Sequence, residues 1–73
     1  MEYKVIGYYK RNNDLFVKLI NNDNNEFLSN GVYIWRCKEN KLNKLTEISK
    51  KEFNKDKFLN YWNNNLKENT ISF

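Results

Sequence analysis

The spacing of apolar residues changes once along this chain, close to Ile48. Before that point apolar and polar residues tend to alternate, as in a β-strand, and after it apolar residues recur every three or four positions, as in an α-helix. The first part predicts four strands, of which the third is the clearest: 2–10, 15–20, 32–38 and 42–48. Residues 26–29 form either a further short strand or a loop. Runs rich in Asn, Asp and Gly separate these segments and predict turns.

The helical part carries two start signals. Ser49 and Glu52 fit a capping box, in which each side chain binds the backbone N–H of the other residue. Five residues further on, Asn54 stands as a candidate N-cap between Phe53 and Phe58, which occupy the two positions of a hydrophobic staple. We therefore expect a short turn before the main helix.

The main helix is expected over about 55–66, after a turn over 49–53. At about 100° per residue, one face of this helix collects four large apolar side chains. They are Phe58, Leu59, Trp62 and Leu66. This face predicts packing against the sheet.

Together these elements predict one small domain of the α+β class. Seventy-three residues leave no room for a second core, so 1–73 is a single domain. Three or four antiparallel strands with hairpin-like connections form a sheet, and the C-terminal amphipathic helix packs on one face of it. A small SH3-like barrel followed by a helix is the alternative. The tail over 70–73 either adds an edge strand or frays.

Residue types required by most catalytic and metal sites are missing. The chain has no His and one Cys, Cys37, so it lacks the ligands of a zinc site and cannot form an internal disulfide. No His can activate a serine, and two glycines cannot make a phosphate-binding loop. Arg36 and Lys38 flank Cys37, but neighbours on a strand point to opposite faces. We expect a structural thiol, no enzyme activity, no cofactor and no metal.

The sequence also lacks signals for membrane insertion or export. No apolar run approaches the roughly 20 residues that a membrane-spanning helix needs, and no basic segment followed by an apolar one opens the chain. A single Cys suits a reducing compartment. We expect a cytoplasmic protein without membrane contact.

Aromatic side chains occur on both faces of the predicted strands. Twelve of the 73 residues are Trp, Tyr or Phe. Strand alternation places Tyr33 and Trp35 on one face. One helix covers only one face of a sheet, so either the sheet curls and Trp35 is core, or the second face stays partly open. An open face with Tyr33, Trp35 and either Tyr8 or Tyr9 would be an interaction surface, because Tyr and Trp dominate binding hot spots.

The excess positive charge is concentrated in one stretch. The chain carries 13 Lys and Arg against nine Asp and Glu. The stretch 36–57 holds eight of the cations and four of the acids, so it contains the whole excess of four. These cations form a solvated face, or they contact nucleic acid or an acidic protein surface. We assign six of them to partner binding: Arg36, Lys38, Lys41, Lys44, Lys50 and Lys51.

These features favour a non-catalytic protein that occupies the surface of a protein partner. The alternative is a small basic nucleic-acid-binding protein, in which aromatics on the sheet face stack on unpaired bases and a Lys-rich hairpin contacts phosphates. An enzyme or toxin with an unconventional site ranks third.

The overall composition adds a resemblance. Fifteen Asn and eleven Lys, without any Ala, Gln, Pro or His, are typical of an AT-rich genome. In size and composition, over its whole length, the chain resembles accessory proteins of phages and mobile elements, among them anti-CRISPR inhibitors of bacterial defence. The resemblance has no motif and assigns no residue. It implies steric blocking of a nuclease complex, and a basic chain would do this through an acidic protein patch or the RNA of the complex, not as a DNA mimic.

Overall fold

Six strands and two helices make up the computed structural model, which describes residues 1–73. In chain order the elements are β1 (Glu2–Arg11), β2 (Asp14–Ile20), β3 (Glu26–Ser29), β4 (Ile34–Arg36), α1 (Glu39–Leu42), β5 (Thr46–Ile48), α2 (Lys55–Asn65) and β6 (Thr70–Ser72). The predicted α+β class, with a C-terminal helix on a mostly antiparallel sheet, is confirmed. The sheet has six strands where the sequence predicted three or four.

The strands are arranged in the order β4-β3-β2-β1-β5, and β6 also pairs with β1. β5 pairs antiparallel with Tyr8–Lys10, while β6 pairs in parallel with Glu2–Lys4, so the two short strands share one edge of β1. The connection between β4 and β5, which includes α1, thus crosses from one edge of the sheet to the other. The prediction that every connection is a hairpin was wrong at this point. The sheet stays open, with β4 at one edge and β5 and β6 at the other, and does not close into the alternative barrel.

Asn residues shape the two turns at the ends of β2. Asn12 has a φ of 55° in the two-residue turn between β1 and β2, a backbone region that Asn tolerates better than most residues. In the next turn the Asn21 side-chain oxygen accepts hydrogen bonds from the backbone N–H groups of Asp23 and Asn25. These turns fix the register of β1, β2 and β3.

The segment after β4 differs most from its prediction. β4 ends at Arg36, and α1 follows where the sequence predicted a turn and then a strand over 42–48. The backbone N–H groups of Lys41 and Leu42 both bond to the carbonyl of Lys38, which closes a helical turn. Only Thr46–Ile48 is extended, because these three residues pair with the free edge of β1.

The start of α2 follows the local sequence closely. The Asn54 side-chain oxygen accepts from the Lys57 N–H at 3.1 Å, and the rings of Phe53 and Phe58 lie 5.5 Å apart. In the preceding turn the Ser49 hydroxyl accepts from the Glu52 N–H, as the capping box predicts, at 3.2 Å. The same hydroxyl donates to the Glu52 carboxylate at 3.2 Å, a side-chain contact in place of the predicted bond from the Glu52 side chain to the backbone. The N-cap, the staple and the turn over 49–53 are confirmed.

The main core lies between α2 and one face of the sheet. Its seven members are Tyr3, Val5, Val17, Leu19, Phe53, Phe58 and Trp62. Leu59 and Leu66 of the predicted helix face are half-buried. The Trp62 indole N–H donates to the Asn69 carbonyl at 3.0 Å, so the largest buried side chain has its polar group satisfied. Neither helix is long and apolar enough to cross a membrane.

Candidate binding surface

The face of the sheet opposite α2 carries a second set of large side chains. Tyr9 pairs with Phe16 across β1 and β2, and Leu28 pairs with Trp35 across β3 and β4. Paired residues of an antiparallel ladder project to the same face, and Phe16 alternates with the buried Val17. These four side chains therefore lie away from the main core.

A cleft of about 230 Å³ opens on this face, beneath α1. Its floor includes Leu28, which is only 2% exposed although it is not part of the main core. Because β4 leads directly into α1, the segment over 37–45 folds back over the sheet. We call this site the Trp35 cleft, and it is lined by Arg11, Phe16, Leu28, Trp35, Lys41, Lys44 and Leu45.

Trp35 is the central aromatic group of the Trp35 cleft. The Lys41 ammonium lies 4.9 Å from the centre of its ring system, in a cation–π arrangement. At an exposed site such a contact stabilises by about 0.5–1 kcal/mol. The Tyr33 ring lies 5.9 Å from that of Trp35 and is tilted by 42°. Tyr33 is 63% exposed while Trp35 is half-buried, so the pair extends from the cleft into solvent.

The turn between β3 and β4 holds Tyr33 in place. The buried Ser29 hydroxyl accepts from the Gly31 N–H at 3.0 Å. The Asn30 side-chain oxygen accepts from the N–H groups of Val32 and Tyr33 at 3.0 and 2.9 Å. These bonds order the backbone of a residue whose own side chain is largely free.

Charge divides the second face into two regions. The Trp35 cleft has three cations in its lining, Arg11, Lys41 and Lys44, and no acid. Towards the other end of the face, Lys18 and Glu26 form an ion pair at 3.2 Å. The hydrogen bond to Glu26 raises the pKa of Lys18. The lining of the cleft is therefore purely cationic, although Asp14 lies opposite Arg11 in the ladder of β1 and β2.

Tyr9 and Cys37 also have raised pKa values. Burial raises the pKa of the Tyr9 phenol, and Glu47, its partner across β5, raises it further. Burial likewise raises the pKa of the Cys37 thiol, against a smaller lowering by Lys18. Both groups are held in their neutral forms, so neither the phenol nor the thiol is activated as a nucleophile.

The structure brings together part of the predicted site. Trp35, Lys41 and Lys44 line one cleft with Tyr33 beside it, and Tyr9 lies on the same face. Tyr8 lies on the opposite face, where its ring is 4.9 Å from that of Phe53. The other predicted cations are exposed and do not line the cleft: Arg36, Lys38, Lys50 and Lys51.

Four residues of the Trp35 cleft were missed by the sequence prediction. Arg11 was assigned to a turn, yet it lies two positions after Tyr9 and so shares its face. Phe16 and Leu28 follow from the same alternation once the register is known. Leu45 depends on α1, and the only signal for it is the helical spacing of three between Leu42 and Leu45.

Comparison with known proteins adds no relative. A scan of family models, a search of curated proteins and a search of solved structures each return no match to this chain.

Proposed function

We propose that this chain is a non-catalytic binding protein that engages an anionic partner through the Trp35 cleft and Tyr33. The observation that carries the proposal is the lining of the cleft, where three cations and no acid surround a half-buried tryptophan. Cations attract an anionic surface and speed its approach. Tryptophan, tyrosine and arginine are the side chains that contribute most at binding sites.

The ordered floor of the cleft and the ordered β3–β4 turn support this role. Leu28 anchors the floor of the cleft, and the turn hydrogen bonds of Ser29 and Asn30 order the backbone at Tyr33. A surface that is ordered before binding loses less conformational entropy when a partner docks. The exposed Tyr33 ring then provides apolar area that solvent covers in the free protein.

Binding without catalysis is the role that fits the chemistry of this face. Cys37 and Tyr9 have raised pKa values and stay neutral near pH 7. The chain then acts by covering a surface of its partner. The single Cys favours the cytoplasm as the compartment.

Inhibition of a bacterial nuclease complex, the role implied by the resemblance to anti-CRISPR proteins, is one form of such occupancy. It rests on size and composition. In that case the cationic cleft would face an acidic protein patch or the RNA of the complex.

Affinity capture with a matched pair of variants tests the proposal. The tagged wild-type chain, Tyr33→Ala with Trp35→Ala, and Tyr61→Ala are each used to capture partners from a bacterial lysate. Tyr61 is an exposed aromatic on α2 and serves as the control. We expect the double variant to lose the partner and Tyr61→Ala to keep it.

Circular dichroism shows whether the double variant folds. If it does not, Lys41→Glu with Lys44→Glu replaces it, because both side chains are exposed. A folded cleft variant that still captured the partner as well as the wild type would contradict the proposal.

A further inference from the structure

The Trp35 cleft combines cations with planar aromatic groups. Cations alone suit any anion, including an acidic peptide. The indole of Trp35 and the phenol of Tyr33, 5.9 Å apart, add planar faces beside those cations. The Asp and Glu side chains of an acidic peptide provide carboxylates for the cations but no planar face for the rings. A nucleotide has a phosphate and a base, and so uses both.

The position of Lys41 is consistent with such a ligand. Its ammonium now lies over the Trp35 ring, 4.9 Å from the centre. An exposed cation–π contact is weaker than the stacking of a base on an aromatic side chain. Lys41 is exposed and can swing away from the ring to meet a phosphate, which leaves the ring face to the base. On binding, base stacking on Trp35 replaces the weaker cation–π contact, and Lys41 gains an ion pair with a phosphate.

The shape of the cleft favours an unpaired strand. The cleft is a concave space of about 230 Å³ between the sheet and the segment over 37–45. In a duplex the faces of the bases are covered by their neighbours in the stack. Only an unpaired base offers a free face to Trp35.

Resting on the proposed function, we infer that the Trp35 cleft binds single-stranded nucleic acid. One base stacks against Trp35, while Arg11, Lys41 and Lys44 contact phosphates. Arg11 approaches from the end of β1 and the two lysines approach from α1 and the residues after it, so the strand passes between the sheet and α1.

Fluorescence polarisation with labelled dT12, rU12 and a 12-base-pair DNA duplex tests the inference. We expect both single strands to bind more tightly than the duplex. With three phosphates contacted, affinity for a single strand falls roughly 20-fold between 50 and 200 mM salt. Comparing dT12 with rU12 separates DNA from RNA, and binding of either one supports the inference.

Variants with equal charge changes locate the binding. Lys41→Ala with Lys44→Ala is expected to remove about two thirds of the salt dependence, while Lys50→Ala with Lys51→Ala leaves most of it. Trp35→Ala is expected to weaken binding about tenfold or more, through loss of one stacked base. If Trp35→Ala does not fold, the two lysine pairs still decide the question.

Several results would overturn the inference. They are absence of binding by both single strands at 50 mM salt, equal effects of the two lysine pairs, and tighter binding of the duplex. A polyglutamate peptide is tested in parallel. If it binds through Trp35, Lys41 and Lys44 and the oligonucleotides do not, the nucleic-acid inference is wrong and the proposed function stands. If the cleft variants also capture partners from the lysate as well as the wild type does, both the nucleic-acid inference and the proposed function are wrong.

Discussion

The two faces of the sheet are covered by helices of very different length. On one face the eleven-residue α2, with its Asn54 cap, buries Phe58 and Trp62. On the other face the four-residue α1 has no side-chain cap and buries none of its residues. Helices this short are marginal by themselves. The same strands thus contribute to a packed core on one side and to an open, cationic cleft on the other, and we assign stability mainly to the first and binding to the second.

Removing a core ring is expected to have the largest effect. Phe58 is fully buried and contacts both Phe53 and Trp62 through ring packing. Phe58→Ala should lower the free energy of unfolding by about 3–5 kcal/mol, measured by urea denaturation. For a domain of this size that is most of the stability. A loss below about 1 kcal/mol would contradict the placement of the core under α2.

Leu28→Ala tests the floor of the Trp35 cleft. The expected loss is about 2–3 kcal/mol, towards the low end for a buried leucine, because the space left behind adjoins a cleft open to water. Urea denaturation measures it beside Phe58→Ala. A loss equal to that of Phe58→Ala would break the comparison, since the second face would then be a core of its own.

Gly31→Ala tests how closely the β3–β4 turn approaches α2. Gly31 has a φ of 89°, and an added Cβ would lie 2.9 Å from the Cβ of Tyr61. The strained backbone alone costs about 1–2 kcal/mol, so the melting temperature should fall. An unchanged melting temperature would show that the turn does not rest against the helix as described.

Alkaline pH is expected to give the smallest effect, and it acts through the second face. The pKa values of Cys37, Tyr9 and Lys18 are all raised from ordinary values of 9.0, 10.0 and 10.5. The unfolded chain therefore loses these protons first as pH rises. The contribution of these three groups to the free energy of unfolding is fully present below about pH 8, and it is lost as pH rises through their pKa values in the folded state.

Urea denaturation between pH 8 and 11 measures this decline. Cys37→Ser with Tyr9→Phe removes two of the three groups and should flatten the curve. A wild-type stability that rose over this interval would contradict the assigned direction of the shifts.

Local features were predictable from the sequence. The N-cap at Asn54 and the Phe53–Phe58 staple involve residues within a few positions of each other, and both were confirmed. Strand alternation likewise predicted that Tyr33 and Trp35 share one face, but it left open whether that face is core or surface.

The cleft itself could not be predicted. Lys41 and Lys44 meet Trp35 only because α1 replaces the expected strand, and a single helical turn depends on tertiary packing more than on its own sequence. Likewise β5 pairs with β1 and not with β4, a choice between sheet edges that the pattern of Thr46–Ile48 does not encode. Lys50 and Lys51 were grouped with the other cations because they are close along the chain. The cleft is instead lined by Arg11, which is distant from them in sequence.

The two tryptophans allow the most direct test of this division. Trp35 lines the cleft on one face, and Trp62 lies in the core on the other, with its indole N–H bonded to Asn69. In a ¹H–¹⁵N spectrum titrated with dT12, we predict that the Trp35 indole signal and the amides of Arg11 and residues 41–45 shift, while the Trp62 indole and α2 stay in place. Shifts confined to α2 and Trp62, or no shifts at all, would contradict the account.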